Sequence, residues 1–464
     1  MQRPLGNSTA SRDIATFLHP YTNLKKHETD GPLVISRGKG VYVYDESGKE
    51  YIEGLAALWC TSLGFSEERL VEAAIRALRQ LPYYHSFAGK GTGYGVDLAE
   101  KLLSIAPVPM SKVFFANSGS EANDTVVKLV WYYNNALGRP NKKKILARIK
   151  GYHGVTVASA SLTGLPNNHR DFDLPIANIM HVDCPHHYRF AEAGESEEQF
   201  ATRLAEALDK RIQDEGPETV AAFIAEPIMG AGGVIVPPRT YFAKIQAVLK
   251  KHDVLFIADE VICGFGRTGN MWGSQTYEMK PDILSCAKAL SSAYLPISAV
   301  MIAEHVYQAL VRQSEKIGVF AHGFTYSASP VPAAVALETL KIYEERDIIG
   351  HVRSVAPKFQ KHLQRYADRP LVGEVRGIGL IGGVELVANK RTKEAFDPKL
   401  AVGTYLTKRA EDHGLILRAM GDSIGFCPPL IISEDEIDDL FRRFDKALTE
   451  TEAWVGGQGL AKVA

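Results

Sequence analysis

The stretch "VLFIADEVICGFGRTG", Val254 to Gly269, decides how the chain is read. Its tail, Gly264-Phe265-Gly266-Arg267-Thr268-Gly269, matches G-x-G-x-x-G, the dinucleotide-binding pattern. Its middle sets two adjacent carboxylates, Asp259 and Glu260, at the end of an apolar run. Either the glycines hold a pyrophosphate, or an acid at a strand end holds something else. A dinucleotide loop follows its strand directly and opens a helix. Here Asp259 through Cys263 intervene, and "NMWGSQTYE" after Gly269 carries turn formers without a helical stripe. The second glycine cluster, "GKGTGYG" at 89–95, lacks the Lys-Ser/Thr ending of a P-loop. The glycines therefore read as a tight loop leading away from the acid.

Working outward, apolar runs alternate with helical patterns, the mark of an α/β domain with a mainly parallel sheet. "KVFFA" (112–116), "TVAAFIA" (219–225) and "VLFIA" (254–258) read as buried strands, with "DILSCA" and "ISAVMIA" as weaker candidates near 282–303. Between the second and third, Phe242, Ile245, Val248 and Leu249 fall on one face of a helix. Pro238 suits its first turn, and Lys250 and Lys251 suit its negative end. The ends differ. "GVYVYDESGKEYIEG" reads as a hairpin. After residue 331 come a long helix, antiparallel strands in "LVGEVRGIGLIGGVELV", and a final helix from Glu434. The expected organisation is a large domain over 71–330 and a smaller α+β domain from both termini, 1–70 and 331–464.

The totals bound the partners. The 464 residues exceed one compact core. A hydrophobic share of 45% and a charged share of 23% are those of a globular protein. A formal net charge of −1 gives no hint of a nucleic-acid partner. The one basic run, Lys142-Lys143-Lys144, reads as a solvated lead-in to the strand in "ILARI". The five cysteines lie far apart without a C-x-x-C pair, which argues against a disulfide framework and a metal ribbon. No stretch is long and apolar enough to span a membrane, and the N-terminal residues lack a signal-type apolar core. The cytoplasm is the expected compartment.

Polar residues follow directly on the expected strands: "NSGSEAND" after "KVFFA", Glu226 after "TVAAFIA", Asp259 after "VLFIA", Lys288 after "DILSCA". In open α/β sheets ligands bind outside the carboxyl ends of the strands. Ser118 and Glu121 fit a capping box, so a helix starts there, and a helix N-terminus favours an anion. Gly119 lets its backbone approach closely, and Ser120 adds a hydroxyl. Alone, this is a helix cap and no more. Lys288 sits in the apolar "SCAKALSSAYLP". Such a setting favours the neutral, nucleophilic amine, although a lone lysine there also suits one that reaches the surface. A phosphate cradle, a lysine that can bind an aldehyde and a strand-end aspartate together suit pyridoxal 5'-phosphate. An acid keeps that cofactor's pyridine nitrogen protonated.

"FIADEVICGFGRTG", the lysine in "AKALSSAYLP", "NSGSEAND", "GYHG" (151–154) and "AEPIMGAGG" (225–233) resemble the class III aminotransferases, which are fold type I pyridoxal-phosphate enzymes. The likeness runs along essentially the whole chain. It is nearest to the ω-transaminases that use pyruvate, through "LHPYTN", "LWCTSLGF", "LPYYHSF", "PHHYRF" and "GLILRAMGDSIGFCPPLII". The resemblance implies that Lys288 binds the cofactor covalently and serves as the base, and that Asp259 meets the pyridine nitrogen. It puts Tyr152 on one ring face and Val261 or Ile262 on the other. Gly119 and Ser120 would hold the phosphate, and Glu226 would shape the floor. Thr325 would reach the phosphate of a neighbouring subunit in a homodimer or tetramer. Tyr21, Trp59, Phe87 and Tyr152 would line the substrate pocket, and Arg418 would meet a substrate carboxylate. The implied reaction is ping-pong, through pyridoxamine phosphate, from an amine or ω-amino acid to a keto acid, with pyruvate expected. Ala57, Ala289, Ala293 and the pair Ala328-Ser329 depart from the family pattern and leave the substrate range open. The same scaffold running a decarboxylation or an aminomutase reaction, a silent binding protein, and a nicotinamide oxidoreductase are the competing readings.

Overall fold

The computed structural model describes residues 6–460; positions 1–5 and 461–464, the extremes of the expected smaller domain, lie outside the described residues. The hairpin read near the N-terminus is present. Strands β1 (Ile35–Lys39), β2 (Tyr42–Asp45) and β3 (Glu50–Glu53) form an antiparallel meander. Asp45 closes the β2–β3 turn by accepting from the Ser47 and Lys49 amides, the usual role of an aspartate at a turn.

The central sheet follows: β4 (Lys112–Ala116), β5 (Lys144–Arg148), β6 (Ile179–Val182), β7 (Val220–Ala225), β8 (Leu255–Asp259), β9 (Ile283–Cys286) and β10 (Ser298–Ile302). Their spatial order is β4-β10-β9-β8-β7-β5-β6. Only β10 runs against its neighbours. Strands β7 and β8 are buried from end to end, as a sheet covered by helices on both faces requires. The helix Tyr241–Lys251 joins them into the expected βαβ unit and buries Phe242, Ile245 and Leu249.

Some local expectations shift. Pro238 lies before this helix, which is capped by Thr240, and its carbonyl accepts from the Tyr241 amide. "KVFFA" is an edge strand whose Lys112 is exposed and whose Phe114 is only half-buried, not a fully buried one. The basic run is less solvated than its composition suggested. Lys142 is buried and donates to the Pro217 and His252 carbonyls, and Lys144 pairs with Glu215. Burial lowers the pKa of Lys142 accordingly.

Near the C-terminus, β11 (Val372–Ile378), β12 (Ile381–Leu386), β14 (Arg418–Met420) and β15 (Ser423–Phe426) form an antiparallel sheet in the order β11-β12-β15-β14. The two-residue β13 (Leu415–Ile416) leaves it to pair in parallel with β3. The chain's two ends are thus stitched into one sheet beside the site. The last helix, Glu434–Gly457, opens on a full capping box at Ser433 and Glu436. Among the described residues no helix is long and apolar enough to cross a membrane.

Candidate active site

The strand order places the chemistry. Reading across the sheet, β4 leads into Ser118–Ser120, β9 into Lys288, β8 ends on Asp259, β7 leads into Glu226, and β5 leads toward Tyr152 and His153. Residues scattered from 118 to 288 therefore share one carboxyl edge. They open onto a cavity of about 760 Å³ whose wall includes Gly119, Ser120, Tyr152, Glu226, Asp259 and Lys288. Val261, Ile262, Trp59, Tyr21 and Arg418 line the same cavity.

Asp259 and Glu260, adjacent in sequence, do different work. The Asp259 side chain faces the cavity. Its Oδ2 accepts from Asn123 Nδ2 and pairs with His153 Nδ1, both at 2.8 Å, and its Oδ1 accepts from the Val261 amide at 3.1 Å. Glu260 points the other way and is fully buried. It accepts from the Gly273 and Ser274 amides and the Ser274 hydroxyl, so it anchors the loop beyond. Burial pushes its carboxyl up to about 7.

The glycine loop is packed on protein. Phe265 and Gly266 turn back onto the Met271 carbonyl with left-handed backbone. The buried Arg267 guanidinium donates to the Leu380 and Pro428 carbonyls. The loop is a clasp between the central sheet and the C-terminal sheet.

The helix Gly119–Ala136 begins at the cavity. Ser118 Oγ accepts from the Glu121 amide, but Glu121 reaches back to the amide of Asn117 rather than Ser118. The expected capping box is thus displaced by one residue. A Cβ on Gly119 would stand 3.1 Å from Val261 Cγ1, so the absent side chain keeps the helix end open. Ser120 Oγ accepts from the Val155 amide. A Cβ on Gly154, whose φ is +133°, would meet that Oγ at 2.7 Å.

Glu226 is buried at the floor, accepting from the Tyr152 and Gly230 amides at 2.9 and 3.0 Å. Burial raises its pKa. Tyr152 is partly buried, with its phenol pKa raised by burial first and then by the neighbouring Tyr21. Lys288 opens a short 3-10 turn, Lys288–Ser291, with φ +49°, a conformation costly for a lysine and typical of strain held at a site. Among the described residues, neither the Lys288 amine nor the Arg418 guanidinium has a hydrogen-bond or ion-pair partner.

The wall beside Lys288 is strained as well. Ala56, Ala57 and Trp59 all have positive φ. Trp59 is buried, its ring stands 3.1 Å from the Cβ that Gly425 lacks, and its Nε1 has no partner. Beneath this loop the Glu53 carboxylate accepts from the Leu55 amide at 3.0 Å, and burial lifts its pKa to about 8.

Two expected site residues lie elsewhere in the chain. Phe87 is 47% exposed and Thr325 is exposed. They are held in neighbouring segments, with Phe87 against Gly323 and Tyr83 donating to the Thr325 carbonyl. Neither lines the cavity of its own chain. The sequence reading missed Asn123, His153 and Glu53. Asn123 had a signal, since it sits one helical turn after Gly119 and on the same face. His153 directly follows Tyr152, and only the lateral order of the strands, with β7 between β5 and β8, brings it to Asp259.

The site fits pyridoxal phosphate on its own features. An open helix N-terminus suits a phosphate. A strand-end carboxylate held by two side-chain donors suits a protonated pyridine nitrogen. An unpaired lysine in the same cavity suits an aldehyde. With the doubly covered sheet, these define a pyridoxal-phosphate enzyme of fold type I. The model of the class-III aminotransferases matches residues 24–448. A chloroplastic γ-aminobutyrate transaminase 3 of Solanum lycopersicum is 57% identical over 97% of this chain and 87% of its own length. A vanillin aminotransferase of Capsicum annuum is 55% identical over 91% and 92%. The crystal structure of an ω-transaminase from Pseudomonas jessenii in complex with PMP superposes with a TM-score of 0.96, at 57% identity, over 97% of this chain and 99% of that one. The chain belongs to the class III aminotransferases, and its cofactor is pyridoxal phosphate.

Proposed function

We propose that this enzyme moves the amino group of an amine or ω-amino acid to pyruvate in a ping-pong cycle. The observation that carries the reading is the division of the cavity. Lys288 and Asp259 come from the ends of the central strands, while Leu58, Trp59, Leu417 and Arg418, from the segments that pair the two ends of the chain, line the same cavity, and Arg418 has no hydrogen-bond or ion-pair partner among the described residues. The apolar surface suits the body of a donor that carries no carboxylate, and the guanidinium suits the carboxylate of the acceptor. The names of the similar proteins, a γ-aminobutyrate transaminase and a vanillin aminotransferase, support terminal amines as donors.

When bound, the cofactor supplies an electron sink for the carbon that loses its proton. The chain supplies the rest. Gly119 and Ser120 would hold the phosphate with the helix N-terminus. Tyr152 and Val261 or Ile262 would flank the ring. Asp259, held by Asn123 and His153, would keep the pyridine nitrogen protonated. Glu226 fixes the backbone that carries Tyr152. Lys288 Nζ would take the proton from the donor carbon and return it to the cofactor carbon on the far side of the transferred nitrogen, so that the nitrogen stays with the cofactor and the donor leaves as a carbonyl compound. Arg418 pairs with the carboxylate of pyruvate through two parallel hydrogen bonds and turns aside for an apolar donor.

The exposed pair Phe87 and Thr325 supports a homodimer in which each subunit completes the other's site. Thr325 then reaches the neighbouring phosphate, and Phe87 the neighbouring substrate. Hybrids of Thr325→Ala and Lys288→Ala subunits test this, because one site receives both defects and the other neither. The reaction itself is tested by half-reactions. The cofactor-loaded enzyme is mixed with a panel of amines, including γ-aminobutyrate, and recovery with pyruvate is compared with recovery with 2-oxoglutarate. Recovery only with 2-oxoglutarate, or conversion without keto-acid consumption, would overturn the reading.

A further inference from the structure

Asp13, His19 and His27, outside the catalytic cavity, converge on one point, and we propose that they bind one divalent transition-metal ion of the zinc class. His19 Nε2 lies 2.9 Å from both Asp13 carboxylate oxygens, and His27 Nε2 lies 2.9 Å from Oδ1. The two imidazole centroids are 4.4 Å apart, and the donor atoms of all three residues lie within 4.8 Å of one another. The side chains are only 16%, 23% and 10% exposed for Asp13, His19 and His27.

Imidazole nitrogen and carboxylate oxygen are ordinary zinc ligands, at about 2.0–2.2 Å from the ion. Tetrahedral ligands at that distance stand about 3.3–3.6 Å apart. Each Asp–His pair, now at 2.9 Å, therefore opens by roughly half an ångström to admit the ion. Each imidazole moves its proton from Nε2 to Nδ1 and stays neutral, so the ligand set carries one negative charge. Water takes the fourth position.

Charge separates this cluster from the other one of similar make-up. His186, Glu374 and Glu385 also converge, but Arg376 pairs with both glutamates and Arg189 with Glu385. A dication there would meet two guanidinium groups. Among the described residues Asp13 pairs with no lysine or arginine, and its partners are the two histidines.

The ligands come from different pieces of chain. Asp13 lies in the helix Thr9–Thr16, His27 in the helix Leu24–Asp30, and His19 in the link between them. That link also carries Pro20 and Tyr21, which line the catalytic cavity. A metal ion would cross-link the N-terminal segment and hold the Tyr21 edge of the cavity in place.

The test uses the full-length, cofactor-loaded enzyme, stripped with a chelator and then titrated with Zn2+ or Co2+. One ion per chain is expected after desalting, with a Co2+ spectrum of tetrahedral nitrogen and oxygen ligation and no thiolate charge-transfer band. Asp13→Asn and His27→Ala should each lose the ion while keeping the cofactor absorbance, whereas Cys60→Ser should retain it. The ion should also slow tryptic cleavage at Lys25 and Lys26. Retention of the ion by the Asp13 and His27 variants, a thiolate spectrum, or no retained ion in the wild type would overturn the proposal. The last outcome would leave a hydrogen-bonded His–Asp–His clamp only.

Discussion

At the floor of the cavity, Asp259 and Glu226 are buried and are oriented by hydrogen bonds from Asn123 of the helix Gly119–Ala136 and from His153, Val261, Tyr152 and Gly230 in the segments just past the strands. At the rim, Tyr21, Ala56, Ala57 and Trp59 all have left-handed backbone, Tyr21 is 64% exposed, and Arg418 has no partner among the described residues. The carboxylates of the floor are preorganised by hydrogen bonds already in place. The rim stores strain and exposes apolar surface, which suits a wall that must receive both a carboxylate and an apolar amine. The difference locates reaction type in the floor and substrate choice in the rim.

The largest expected effect breaks the floor. Lys288→Ala should abolish the absorbance of the lysine-bound cofactor and reduce turnover by at least on the order of 10⁴-fold, the upper range for a single acid–base group. The phosphate end should still bind cofactor. Turnover close to that of wild type would remove Lys288 from the chemistry.

Asp259→Asn keeps the shape and removes the charge. The proton-transfer half-reaction should slow on the order of 10²-fold, as when one preorganised electrostatic partner is lost from a dry site. His153→Phe should have a smaller effect of the same kind, because Asn123 and the Val261 amide still hold the carboxylate. If the histidine variant slowed more than the aspartate variant, the two roles would have to be exchanged.

The rim is probed by Arg418→Ala. It should raise KM for pyruvate by an amount worth about 2–5 kcal/mol at most, if the pair is desolvated. The half-reaction with a carboxylate-free amine should be nearly spared. Equal damage to both halves would reduce Arg418 to a structural residue and erase the contrast between floor and rim.

The smallest effect on turnover concerns Glu53, the support under the rim, whose substitution is read in stability. Burial holds its carboxyl at about 8, above its ordinary 4.5. Between those values the folded chain keeps a proton that the unfolded chain releases, so rising pH favours unfolding. This contribution is present in full below 4.5 and lost by about 8. Its ceiling is on the order of 4–5 kcal/mol. The nearby Cys60 and Cys427 thiols are themselves raised by burial and do not ionise in that window. Glu53→Gln preserves the acceptor for the Leu55 amide and removes the titration. Urea unfolding across this pH range should therefore be flatter in the variant, and identical slopes would mean that Glu53 is not the group responsible.

Local rules carried much of the reading. The βαβ unit around Val220–Asp259 was legible because fully buried strands are continuous apolar runs and the helix between them keeps one apolar face. The hairpin at Tyr42–Glu53 and the capped helix from Glu434 follow from turn and cap chemistry within a few residues. The placements of Asp259 at the end of its strand and of Glu226 and Lys288 just beyond theirs were legible in the same way. The sequence also showed that the glycines after Cys263 do not open a helix.

What the sequence could not supply is the lateral order of the strands, since β4-β10-β9-β8-β7-β5-β6 depends on pairings between distant residues. That order alone brings His153, after β5, to Asp259, at the end of β8. The adjacent acids point apart because successive side chains of a strand alternate, but only the packing decides that Asp259 meets the cavity and Glu260 the short helix Gly273–Thr276. The pairing of β13 with β3 and the strained turn at Ala56–Trp59 are likewise tertiary decisions. Composition and periodicity report which face of an element is buried. They say nothing of which elements meet, and the rim of this site is made where the two ends of the chain meet.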